Sequence, residues 1–124
     1  MEIVRLTEFE KEFKHLCKKY HSLEGDFKDF QEVLETYILE DFEKNENLWM
    51  LGERIASLWE DIEGNFFKFK KFRCFSIARQ SKNSWIRIIY CFDSENTKLE
   101  FIEIYHKNDK ENHDIKRIKD YYSI

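Results

Sequence analysis

The apolar residues of this chain change their period once, near Gly64, and that change limits the folds open to it. Before Gly64 they recur at steps of three and four, the spacing of one helix face. After it they run in short blocks rich in β-branched and aromatic residues. Phe9, Phe13, Leu16 and Tyr20 make one helical stripe, and Leu23, Phe27, Phe30, Leu34 and Tyr37 make a second. Thr7 and Glu10 form a T-x-x-E capping box that predicts a helix start near residue 8, and Ser22 is placed to cap the second helix. So short a connection predicts an antiparallel helical hairpin. A brief strand over residues 3–6 precedes it. Residues 41–47 read as a polar loop, and Ile55, Leu58 and Trp59 predict a short third helical turn or two.

Beyond Gly64 the expected strands are residues 72–77, 85–92 (WIRIIYCF) and 99–106 (LEFIEIYH). Lys70 and Lys71 interrupt the alternation ahead of the first, which allows a β-bulge there. The polar connection DSENTK joins the other two as an antiparallel hairpin. Ile115 and Ile118 stand at helical spacing with Tyr121 and Tyr122 beyond, so a short amphipathic C-terminal helix is expected. A chain of 124 residues without a repeat or a dividing linker reads as a single domain over residues 1–124. The expected class is α+β: an N-terminal helical hairpin packed on a small, curved, mostly antiparallel sheet.

Charge is distributed unevenly. Residues 1–66 carry 8 basic and 17 acidic side chains, residues 67–87 carry 7 basic and none acidic, and residues 88–124 carry 6 and 8. A basic stripe on an otherwise acidic chain focuses positive potential locally and suits a polyanion or an acidic protein segment. The plainer reading, that single lysines such as Lys68, Lys70 and Lys82 only solvate a strand, does not account for the run as a whole. Absence of Pro and a count of three Gly exclude collagen-like and low-complexity classes. No apolar run approaches the roughly 18 residues of a membrane span, and the opening MEIVRLTEFE is unlike a secretory signal. Three Cys without a C-x-x-C spacing are read as reduced, and the expected location is cytoplasmic.

Several chemistries lack their motifs. Neither G-x-G-x-x-G, the P-loop pattern nor G-x-S-x-G occurs, so nucleotide-cradling loops and nucleophile elbows have no support. Cys17 and His21 are spaced to share a metal on one helix face, but no second ligand pair follows, so Cys17 reads as structural and no metal or other cofactor is expected.

What remains is basic and aromatic. Lys71-Phe72-Arg73, then Arg87-Ile88-Ile89-Tyr90, then Ile104-Tyr105-His106-Lys107 follow the two helices in that order. This arrangement resembles the RelE/ParE superfamily of bacterial toxins, and most closely its RelE- and HigB-like mRNA interferases. The chain departs from that pattern in carrying Trp85-Ile86 where a glycine often precedes the arginine, and in a pI of about 5.6. The resemblance implies the RelE-like toxin fold and the toxin of a type II toxin–antitoxin pair, an endoribonuclease that cleaves mRNA, in some members on the ribosome. It implies a cognate antitoxin as partner, here expected to offer an acidic helical segment. By position it places Lys71, Arg73, Arg87, Tyr105 and Lys107 on the catalytic face, with Lys68, Lys70, Arg79 and Lys82 holding RNA. A ParE-like inhibitor of DNA gyrase and a non-enzymatic RNA- or protein-binding module are the alternatives.

The chemistry can be stated without the family. Metal-free RNA cleavage needs an activated 2′-oxygen, a stabilised phosphorane charge and a proton for the departing 5′-oxygen. Arg87 suits the second task, because a guanidinium forks onto two phosphate oxygens and stays charged. Lys71 serves as base if a cation such as Arg73 lowers its pKa, and Tyr105 or His106 supplies the leaving-group proton. Alternation sets Lys71, Arg73 and Phe75 opposite Phe72 and Cys74, and Arg87 opposite Tyr90, which reads as core.

Overall fold

The two N-terminal stripes become helices because each presents its aromatic residues to one sheet face. The computed structural model describes residues 1–44, 55–77 and 84–124. In chain order these form β1 (Glu2–Arg5), α1 (Thr7–Lys19), α2 (Leu23–Lys44), β2 (Ile55–Ser57), β3 (Phe66–Phe69), β4 (Ile86–Asp93), β5 (Lys98–His106) and α3 (Ile115–Tyr122). The strands make one five-stranded sheet in the order β1-β5-β4-β3-β2, with β1 parallel to β5 and the other pairs antiparallel. The α+β class and the mostly antiparallel sheet agree with the sequence reading. Among the described residues, no helix is long and apolar enough to cross a membrane.

The core between the helical pair and the sheet is built of rings. Phe27 of α2 lies 5.5 Å from Phe9, 5.1 Å from Phe13 and 5.0 Å from Phe101 of β5. Phe30 reaches Phe69 at 4.7 Å and Phe72 at 5.5 Å. Full burial of each such side chain stabilises by about 1.5–3 kcal/mol, which is why this layer dominates the fold.

The β4–β5 hairpin holds the feature that positions the site. Ile89 pairs with Glu103 but Tyr90 pairs with Phe101, so Ile102 is an extra residue on β5. Such a bulge reverses which alternate residues face each side. Tyr90, Phe101, Ile88, Ile104, Ile86 and His106 therefore share the α1–α2 side. Arg87, Tyr105, Ile89, Glu103, Cys91 and Glu100 share the other, together with Lys68 of β3.

That second side is covered by α3. Asp114 caps the helix by accepting from Arg117 N at 3.0 Å, and its own N–H donates to Glu103 Oε1 at 2.8 Å. Arg117 forks onto Glu12 of α1 at 2.8 and 2.9 Å and donates to Ile102 O at 3.0 Å. Ile118 is fully buried, and Tyr122 packs edge-on against Phe66 at 5.1 Å.

Several local details differ from the expectation. The N-cap of α1 is Leu6, without a side-chain cap bond, and Glu10 instead lies 3.5 Å from Arg5 Nη1, so the Thr7 box is not formed. Ser22 does precede α2, but its hydroxyl donates to Asp26 Oδ2 at 2.7 Å and accepts from Ser76 N at 2.7 Å. Backbone helix continues through residues 41–44, since neither Gly nor Pro interrupts the sequence there; residues 45–47 of the expected loop lie outside the described residues. The segment around Ile55 is a strand and a turn: β2 pairs with β3, and Leu58 O accepts from Asp61 N and Ile62 N. The expected strand over 72–77 lies earlier, at β3, because Phe66–Phe69 can pair with β4 while Ser84 N and Oγ bind Phe72 O and hold the later segment off the ladder. The slip lies in β5, not at Lys70 and Lys71.

Candidate functional site

The end of the sheet where β4 begins and β5 finishes gathers the basic residues. Arg87 stands directly opposite Tyr105 on the α3 side. Its guanidinium donates to Lys70 O, which ties the chain leaving β3 to the start of β4. Lys68 occupies the same side one strand over, paired in register with Ile89. Lys107 follows β5, and its N–H donates to Trp85 O at 2.9 Å. The Lys107 ammonium and the Arg87 guanidinium lie 5.2 and 5.5 Å from the centre of the Trp85 ring, within cation–π range.

The electrostatics reflect this crowding. Burial pushes the Lys68 ammonium below its ordinary pKa, and Arg87, Lys70 and Lys107 push it further while Asp61 opposes them. Arg87, 9% exposed, is lowered by burial and still carries its charge. Tyr105 is raised by burial and drawn back by Arg87, so its hydroxyl keeps its proton at neutral pH. That hydroxyl is buried without a hydrogen-bond partner among the described residues. The Lys110 ammonium sits 5.3 Å above the Tyr105 ring and pairs with buried Glu103.

Beside Lys68 lies His113, which no sequence motif singled out. His113 has an 8% exposed side chain, and its Nε2 is 3.3 Å from Asp61 Oδ2. Burial first and Lys68 second hold the imidazole below its ordinary pKa. An acidic residue, a buried imidazole and a lysine thus stand in sequence toward Arg87. Nothing in the chain's spacing advertised this, because Asp61 and His113 are brought together only by α3 folding over the sheet.

Of the residues assigned by sequence, Lys68, Lys70, Arg87, Tyr105 and Lys107 meet at this end. Lys71 and Arg73 lie exposed on the irregular segment after β3, where the Arg73 guanidinium covers the Phe75 ring at 4.6 Å. Their alternation holds without a strand, since Phe72 and Cys74 are buried. Lys68, beside Arg87, is the lysine whose ammonium burial and cationic neighbours push down. His106 leaves the site: the bulge turns it to the other side, where it stacks on Tyr20 at 6.1 Å and accepts from Asn108 N at Nδ1. Tyr90 is fully buried, as read. Arg79 and Lys82 lie outside the described residues. Among the described residues no group of His, Cys, Asp and Glu could hold a metal, and Cys17, half-buried, packs against the core. Comparison with protein-family models, curated proteins and solved structures found no match to this chain.

Proposed function

We propose that this end of the sheet binds the phosphates of single-stranded RNA and cleaves it without a metal, and that the chain is the toxin of a type II toxin–antitoxin pair like the RelE/ParE interferases it resembles. The observation that carries the reading is the gathering of Arg87, Lys68 and Lys107 at one end of the sheet, with protonated Tyr105 directly opposite Arg87. Two helices ahead of a mostly antiparallel sheet, with a helix after it, support the RelE-like fold in outline.

In this reading Lys68, its ammonium pushed down by burial and Arg87, takes the proton of the 2′-hydroxyl. The 2′-oxygen bonds to phosphorus as the bond to the 5′-oxygen breaks, leaving a 2′,3′-cyclic phosphate. Arg87 and Lys107 offset the charge that builds on the phosphorane. Tyr105 hands its proton to the departing 5′-oxygen, and the Lys110 ammonium over its ring favours the phenolate left behind. An acidic antitoxin helix would lie across the same basic end, since the layer between α1–α2 and the sheet is filled by rings.

Induced expression should halt growth and truncate messages while rRNA stays intact, and Arg87→Ala should lower cleavage by ~100-fold, as loss of one oxyanion-type donor does. Normal growth with full-length messages, at verified expression of folded protein, would remove the interferase reading. A binding module that does not cleave is the second reading. It is favoured by the bond from Arg87 to Lys70 O, which occupies part of the guanidinium. RNA retention without cleavage, weakened equally by Arg87→Ala and Lys107→Ala, would select it. A small neighbouring gene encoding an acidic partner, whose co-expression restores growth, would tie either activity to a toxin–antitoxin pair.

A further inference from the structure

Trp85 has the backbone conformation of a glycine. Its φ is +65°, in the left-handed region that bulky side chains avoid. The neighbours impose this: Ser84 is pinned to Phe72 O through Oγ at 2.6 Å, and Trp85 O accepts from Lys107 N at 2.9 Å. A glycine would meet both demands without strain. Instead the position holds the largest side chain, 46% exposed and outside the buried core, with two cations against its ring. Strain of this kind persists where surrounding structure over-determines it, and it concentrates at binding sites.

Resting on the RNA reading above, we propose that the Trp85 ring is a stacking platform for one nucleobase of the strand whose adjacent phosphate lies between Arg87 and Lys107. Stacking requires an exposed aromatic ring beside cations able to hold the neighbouring phosphate, and Trp85 is 46% exposed with Arg87 and Lys107 at 5.5 and 5.2 Å from its ring centre. A bound base displaces water from the ring while the phosphate draws the two cations to itself. The platform makes the site selective for single strands, whose bases can leave a duplex stack, over a simple polyanion of equal charge. Because every base has a π-face, it confers little preference among sequences.

The experiment compares an eight-nucleotide single-stranded RNA with inorganic polyphosphate of equal charge, at one salt concentration, on the wild-type chain, Trp85→Gly and Trp85→Phe. Trp85→Gly should lower RNA affinity roughly tenfold and leave polyphosphate affinity unchanged, the size expected for one stacked base. Its melting temperature should not fall, because glycine suits the φ. Trp85→Phe should keep most of the RNA affinity. Equal loss for both ligands would overturn the platform and make Trp85 a spacer that positions Arg87 and Lys107. Unchanged RNA binding by Trp85→Gly would overturn it outright. Failure of the wild-type chain to bind either ligand would instead sink the RNA reading, and the platform with it.

Discussion

The two sides of the sheet solve different problems with the same strands. Toward α1 and α2 the layer is aromatic and aliphatic, with Phe9, Phe27, Tyr90 and Phe101 shut away from water. Toward α3 it is charged: Glu100, Glu103 and Arg87 are buried there, Lys98 stands 3.6 Å from Glu100, and Arg117 forks onto Glu12. The first side supplies stability through area removed from water. The second spends less area and depends on every buried charge having a partner, because an unpaired one is costly. The proposed RNA contact falls on the second side, where Arg87 and Lys68 stand.

This contrast can be broken most severely from the apolar side. Phe101→Ala removes a ring that meets Phe9, Phe27, Phe30 and Tyr90, and should cost about 4 kcal/mol in urea unfolding. A loss below about 1 kcal/mol would mean the layer is loosely packed and the comparison misjudged. Arg117→Ala should cost about 2 kcal/mol, since both partners are mostly buried and Glu12 would keep a desolvated charge. Glu12→Gln in the same background should then cost little further; additive losses would show that the two groups do not act as a pair.

A pH series sharpens the contrast from both sides at once. His106, facing the first side, and His113, facing the second, are both held below the ordinary 6.5, in each case chiefly by burial. The unfolded chain therefore binds these protons more readily than the folded one. Their contribution to stability is complete above about pH 6.5 and is lost as pH falls from there through the folded values. Melting temperature should drop between pH 7 and 5, and His113→Asn with His106→Asn should flatten that drop. A drop left unchanged in the double variant would assign it to other groups. The smallest effect belongs to Lys107→Ala, whose exposed side chain should change stability by less than about 0.5 kcal/mol. Its RNA binding should weaken several-fold, with the salt slope reduced by about one, whereas an unaltered slope would take Lys107 off the phosphate path.

Helix against strand was legible from periodicity alone for α1, α2, α3, β4 and β5, because each buries one face against a neighbour and side chains repeat accordingly. The basic run over residues 67–87 pointed to the end of the sheet where Lys68, Arg87 and Lys107 gather. Arg87 and Tyr105 were named from the family resemblance, and they stand opposite each other on β4 and β5. Errors gathered where pairing, not pattern, decides structure. Phe66–Phe69 became a strand and residues 72–77 did not, since only the former can reach β4 in register with an alternative bond absent.

The chain by itself determined the order of elements, the apolar stripes and the concentration of positive charge, because these depend on neighbours within a few residues. Tertiary structure alone decided which charges meet. One extra residue in β5, Ile102, sends His106 to the core side and keeps Tyr105 beside Arg87. The fold of α3 back over the sheet brings His113 to Asp61 and Lys68, which lie far from it in sequence. The strained Trp85 follows from hydrogen bonds made by Ser84 and Lys107 across the sheet end. Such contacts join residues whose separation along the chain carries no periodic signal, so only packing in three dimensions could select them.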